Sequence, residues 1–388
     1  MHRRRLLQLA STLTAARPLR AQLTPTAPAE AGMSSARLEH AASLLRAETA
    51  SGRVLAASLL VARGGRIVLN RGFGRIGPAA DSQQATPDTV YLLASITKPV
   101  AACALMLLVE RGLVSLDDAV SVYLPEFDGP GRRDARVRDL LTHTSGLPDM
   151  LPENTALRRA HAPLRDFVQG ALTTPLLYTP RTGFSYQSMG TLLAGEIVQR
   201  VSGQPLRDFH KKEIFDALGM KDSSLGLGGR RIEDTVLCQT GSGPDVDRFG
   251  PNSPYWRDMG HPWGGMHSTV TDLAILMQAF LNGGQFAGRR LLSPVTVQRM
   301  ISDQNTAIGQ PWGLGWGLAT SPVWVYSGDL VSPRTFGHSG ATGTVAWADP
   351  DTNIATVILT TRATSEDNGR LLRTVSNAVA ASVIRNSR

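Results

Sequence analysis

The chain has 388 residues, 42% of them hydrophobic and 19% charged, enough for one large domain or two coupled ones with an ample core. Its formal charge of +8 drops to +3 without the five arginines of residues 1–21, and no Lys/Arg run or aromatic–basic interleaving is present, so composition makes no case for nucleic acid. No apolar run approaches the ~20 residues that span a bilayer, and two cysteines with eight histidines in no ligand spacing form neither a disulfide framework nor a metal set, so no metal or cofactor is expected.

Residues 1–21 carry a charged start (Arg3, Arg4, Arg5) and a short, semi-apolar stretch, the outline of an export signal. Arg17 interrupts the apolar part and Leu19 stands where a small residue is wanted, so a periplasmic destination and a disordered arm on a cytoplasmic protein both stay open. Ser34–Thr49 reads as an amphipathic helix capped by Ser34 or Ser35. Leu55–Ala62 and Ile67–Asn70, separated by Arg63-Gly64-Gly65-Arg66, read as a hairpin. Gly72-Phe73-Gly74-Arg75-Ile76-Gly77 matches G-x-G-x-x-G, but Pro78 follows where a dinucleotide site needs a helix, so it reads as turns.

An apolar helix is expected from Ser95 to Gly112, buried because it has almost no polar face. Ser95 and Lys98 stand at i and i+3 on it, which stacks hydroxyl and amine on one face. Only four of the 40 cationic side chains are lysines, and lysine, unlike arginine, can give up its proton. A nucleophile beside a base is one reading; a lysine that happens to sit in a buried first turn is the other. A short helix from Val137 ends at Gly146-Leu147-Pro148, with His143, Thr144 and Ser145 read as structural groups at its end. Further helices are expected at Leu164–Ala171, Thr191–Val201, Pro205–Ile214, Thr271–Leu281 and Pro294–Met300, with residues 225–268 forming part of a binding site or lid. Strands return at Thr344–Ala348 and Ile354–Thr360, and Ser365–Ile384 closes the chain as a helix. Residues 30–90 with 285–388 are thus expected to build a sheet domain from both chain ends, and 91–284 a mostly helical one.

Together, Ser95-Ile-Thr-Lys98, Leu140-Leu-Thr-His-Thr-Ser-Gly-Leu-Pro148, Gly183-Phe-Ser-Tyr186-Gln187-Ser188, Trp312-Gly-Leu-Gly-Trp-Gly317 and Gly337-His338-Ser339-Gly340-Ala341 resemble, in order and spacing, the serine β-lactamase and penicillin-binding-protein superfamily. The likeness is closest to the class C β-lactamase-like branch and its family VIII carboxylesterases, and it spans roughly residues 30–385. The resemblance implies an α+β fold: an α/β sandwich with an antiparallel sheet built from both chain ends, and a mostly helical insertion. It implies Ser95 as acylated nucleophile, Lys98 as proton acceptor and Tyr186 as partner base and activator of the deacylating water, with Lys98 and His338 adjusting the phenol. Backbone N–H groups of Ser95 and Ala341 would form the oxyanion hole, and Ser188, His338, Ser339, Gly340 and Trp263 would face substrate.

Two departures bear on substrate. Ser188 replaces the usual Asn of Tyr-x-Asn, and His338 replaces the usual Lys of Lys-Thr-Gly. An unperturbed histidine is mostly neutral at pH 7, which weakens the hold on a substrate carboxylate and costs a neutral ester nothing. The resulting expectation is a serine hydrolase working through an acyl-enzyme, most simply a carboxylesterase for small acyl esters. The alternatives are a β-lactamase or D-alanyl carboxypeptidase, an acyltransferase to alcohols, and a non-catalytic cell-wall-binding protein. An α/β-hydrolase is disfavoured because no His follows Ser339 in the required order.

Overall fold

The computed structural model describes residues 23–241 and 243–384; the signal-or-arm reading of residues 1–21 lies outside them. Ser34 caps the first long helix, Ser35–Ala50, its hydroxyl accepting the Arg37 N–H. The chain then enters the largest sheet. Its seven strands are β1 (Thr24–Pro25), β2 (Ala56–Arg63), β3 (Arg66–Gly74), β4 (Gly317–Leu318), β5 (Phe336–Gly340), β6 (Thr344–Asp349) and β7 (Ile354–Thr360), arranged β1-β3-β2-β7-β6-β5-β4. All neighbours are antiparallel except the β1–β3 edge pair. The two chain ends meet at its centre, where Ala57 of β2 lies opposite Thr360 of β7 and Arg63 opposite Ile354.

Every residue of β2 and β7 is buried, so these runs lack the alternation of a half-exposed strand. The two-residue period is still read out, as two different cores. Ala57, Leu59 and Val61 point with Val345, Trp347 and Ile358 toward the Ser35–Ala50 and Arg370–Ala380 helices. Ala56, Leu60 and Ala62 point with Val357 and Leu359 into the larger core containing the helices Thr97–Glu110, Met189–Ser202 and Val270–Leu281. The sheet is therefore covered on both faces, with the helical middle of the chain lying against one of them.

Gly72 and Gly74, expected in turns, lie instead at the end of β3. A Cβ at Gly72 would sit 2.3 Å from the Ala85 carbonyl and one at Gly74 2.0 Å from that of Leu55, so close backbone approach accounts for these glycines. The closing helix is shorter than its pattern, Arg370–Ala380, because a 3-10 turn at Thr364–Glu366 precedes it. The expected 205–214 helix is interrupted, its α-helical turn Leu206–His210 running into a π-helical one, Lys211–Phe215.

A second, three-stranded sheet places the region at 225–268. Met266–Ser268 lies between Tyr91–Leu92 and Ser224–Leu225. Leu92 pairs with His267, and the Leu93 N–H donates to the Met266 carbonyl at 2.9 Å. These bonds tie residues 263–266 to the segment entering Ser95. Beyond them, the β5 end is pinned to the same segment: Thr342 and Thr344 hydroxyls donate to the carbonyls of Leu92 and Leu93, both at 2.8 Å. Gly340 has no room for a side chain there, since a Cβ would meet the Leu93 carbonyl at 2.0 Å. Gly340→Ala is expected to cost about 1–3 kcal/mol of stability by overpacking and to lower activity more than that loss explains, because it pushes β5 off the Ser95 turn. Thermal melting and specific activity of the folded fraction test this.

Candidate active site

Ser95 sits in the middle of a 3-10 turn, Ala94–Ile96, that feeds the Thr97–Glu110 helix. Ala94 has φ +50°, a left-handed conformation that a non-glycine residue adopts at a cost of roughly 1–2 kcal/mol. Surrounding bonds hold it there: the Thr97 hydroxyl donates to the Ala94 carbonyl at 2.7 Å and itself accepts the Met266 N–H at 3.0 Å. The i, i+3 spacing delivers the expected contact, Lys98 Nζ to Ser95 Oγ at 3.0 Å. The amine is buried, and its second partner is the Trp263 carbonyl at 3.1 Å. Burial drives the Lys98 amine down to about 7, opposed only by the nearby Asp149 carboxylate, so a large share of it is free base at neutral pH.

Tyr186 comes from far along the chain, just before the Met189–Ser202 helix, and is brought to the same spot. Its hydroxyl is directed to the Ser95 side chain, and Lys98 Nζ lies 4.7 Å from its ring centre. Burial holds the phenol well above its ordinary range. The expectation that neighbouring cations lower Tyr186 therefore needs correction. His338 carries no charge to do so: burial first and Lys98 second push it down to about 3, and Lys98 is itself driven down by burial. In the resting site Tyr186 is a neutral hydroxyl beside Ser95, and Lys98 is the group poised near neutral pH.

The other expected site residues occupy varied places. Ala341 stands in the β5–β6 turn that Thr342 and Thr344 fasten beside Ser95. His338 is buried, and its Nδ1 donates to the Ser339 carbonyl at 2.8 Å, which leaves the Nε2 lone pair toward the interior. Ser339 is half-buried, while Gly340 is buried against Leu93. Trp263 differs from its expected substrate-facing place: its ring is buried between His261, with centroids 4.5 Å apart, and Phe167, at 6.0 Å, so it reaches the site only through its carbonyl on Lys98. The Ser188 hydroxyl donates to Asp149 Oδ1 at 2.6 Å.

His143 has more to do than its helix-end position suggested. Its backbone stands at φ +63°, and its carbonyl accepts the Ser185 N–H at 3.1 Å and the Tyr178 hydroxyl at 3.0 Å. Nδ1 accepts the Gln187 N–H at 3.1 Å, and the ring lies 4.6 Å from that of Tyr186. One residue thus grips positions 185, 186 and 187. Gln187 is held again by the Ser145 hydroxyl at 2.7 Å and the Asp139 carbonyl at 3.1 Å. Trp312 packs behind, 5.0 Å from His143 and 6.1 Å from Tyr186. The Leu140–Pro148 motif marked this region in the sequence; nothing local linked it to Tyr186, because the contact spans 43 residues.

The beta-lactamase family model matches residues 41–381, and the chain belongs to that family. Its fold is the β-lactamase/transpeptidase-like one, and the family is one of serine hydrolases. A protein of Escherichia coli O157:H7 named "Putative D-alanyl-D-alanine carboxypeptidase" is 30% identical over 379 residues, covering 88% of this chain and 86% of its own. The penicillin-binding-protein homologue of Caulobacter crescentus superposes with TM-score 0.72 at 26% identity, over 90% of this chain and 98% of that one. A family VIII carboxylesterase superposes with TM-score 0.70 at 23% identity, over 89% and 98%, and shows the shared fold.

His143→Leu, which removes the Nδ1 acceptor, is expected to lower kcat by roughly 10²-fold through misplacement of Tyr186. His143→Asn should recover most of it, since Asn tolerates positive φ and its Oδ1 can accept from Gln187. Steady-state kinetics of both, alongside melting curves, separate placement of Tyr186 from general destabilisation.

Proposed function

We propose that the protein is a carboxylesterase for small acyl esters, with Ser95, Lys98 and Tyr186 as its catalytic residues. Lys98, as free amine, takes the Ser95 proton while Oγ attacks the ester carbonyl. The tetrahedral oxyanion is held by the backbone N–H groups of Ser95 and Ala341. Collapse expels the alcohol, protonated through the Tyr186 hydroxyl from Lys98, and leaves an acyl-Ser95. Water then attacks the acyl carbonyl, its proton passing the same way, and free acid and Ser95 are released. An alcohol in place of that water yields acyl transfer by the same chemistry.

The observation that carries the ester reading is His338. Where the resemblance expects a lysine able to grip a substrate carboxylate, this chain has a buried imidazole that stays neutral far below pH 7. No arginine or second lysine is among the groups that bias Lys98, Tyr186 or His338. A neutral ester needs no such cation. A second reading, D-alanyl carboxypeptidase, is favoured by the names of the 30%-identical relatives, and it requires a site that holds a terminal carboxylate.

The test is p-nitrophenyl butyrate against nitrocefin and a D-alanyl-D-alanine peptide. The ester is expected to be the better substrate by at least about 10²-fold in kcat/KM, with an acyl adduct at Ser95 by mass spectrometry; the reverse ranking, with the peptide preferred, establishes the second reading. Ester hydrolysis should rise with pH through about 7 as Lys98 loses its proton. Lys98→Arg keeps the charge and loses the base, and is expected to lower kcat/KM by roughly 10³-fold or more, without that acid limb; substantial activity in this variant refutes Lys98 as base.

A further inference from the structure

Asp149 follows directly on the Gly146-Leu147-Pro148 stop and is exposed, and it is bonded to the segment that carries Tyr186. Its Oδ1 accepts from the Ser188 hydroxyl at 2.6 Å, and its carbonyl accepts the Ser188 N–H at 3.3 Å, two residues beyond Tyr186. Its charge is felt by both Lys98 and Tyr186. Among the described residues Asp149 forms no ion pair, although this arginine-rich chain pairs many of its surface carboxylates, Asp117 with Arg138 and Glu126 with Arg200 among them. Around Ser95, then, stand the rings of Tyr186, His143 and His338, the buried Lys98 amine and, among the described residues, a carboxylate without an ion pair.

We propose that Asp149 selects substrate by charge, favouring esters that carry a cationic ammonium group on the acyl or alcohol side and opposing those that carry a carboxylate. This rests on the ester reading above and narrows it to a substrate class. The physics is direct: an exposed carboxylate close to the reacting groups attracts a cation and repels an anion, and among the described residues no ion pair neutralises it. Ser188 holds one carboxylate oxygen in place, so the charge has a defined position. A substrate ammonium beside Asp149 also serves the chemistry, because it disfavours protonation of the base nearby.

The experiment compares kcat/KM at pH 8 and low ionic strength for p-nitrophenyl hexanoate, its 6-trimethylammonio analogue and the p-nitrophenyl monoester of adipic acid. A parallel alcohol series uses acetylcholine and 3,3-dimethylbutyl acetate. In the wild type the trimethylammonio ester should exceed the adipate monoester by about tenfold or more, or acetylcholine its neutral isostere by a similar factor, the size expected of one screened unit charge. Asp149→Asn keeps an acceptor for Ser188 and should collapse the preference toward unity, as should 0.5 M NaCl in part. A preference absent in both series, or one that survives Asp149→Asn unchanged, overturns the proposal while leaving the esterase standing. Failure of the wild type to hydrolyse the neutral hexanoate at Ser95 overturns the ester reading itself.

Discussion

The chemistry proposed for this protein depends on one amine kept out of water. Lys98 is buried in the first turn of an apolar helix, with two oxygen partners, the Ser95 hydroxyl and the Trp263 carbonyl. Neither partner is anionic, so burial is not repaid by an adjacent ion pair and the proton is held loosely. Were the Trp263 carbonyl replaced by a carboxylate, the same burial would leave a permanently charged lysine and no base. The site is therefore made as much by what is withheld from Lys98 as by what touches it.

Keeping that amine in place draws on three separate parts of the chain. Pairing of Leu92 with His267 brings Trp263 over Lys98. The Thr342 and Thr344 hydroxyls fasten the β5–β6 turn to the carbonyls just ahead of Ser95. His143 and Gln187 lock the segment that presents Tyr186. Apart from the Ser145–Gln187 bond, each anchor ends on backbone rather than on a mobile side chain, which suits a reaction whose atoms must be placed within a fraction of an ångström. The strained Ala94 is a local cost of this arrangement, offset by the bonds on either side of it.

Charge distinguishes this site from one built to hold an acid. His338 and His143, both driven down by burial, lie against the Tyr186 ring, and the Asp149 carboxylate acts on Lys98. In the proposed site, histidine at 338 in place of the lysine that the resemblance expects alters the local field without touching the Ser95–Lys98 contact.

Much of this was legible from residue order alone. The spacing of Ser95 and Lys98 settles their contact, because residues three apart on a helical turn must face the same way. The β-branched runs near both ends announce the strands, and the motif set points to the family. Other properties exist only once distant segments meet. That Lys98 lies near neutrality, that His338 is uncharged, that Trp263 acts through its carbonyl and Ser188 through Asp149, and that His143 grips Tyr186, all follow from burial and from contacts between residues tens to hundreds of positions apart. Local sequence encodes which groups are available; the dielectric around them and the partners they find are properties of the packed molecule.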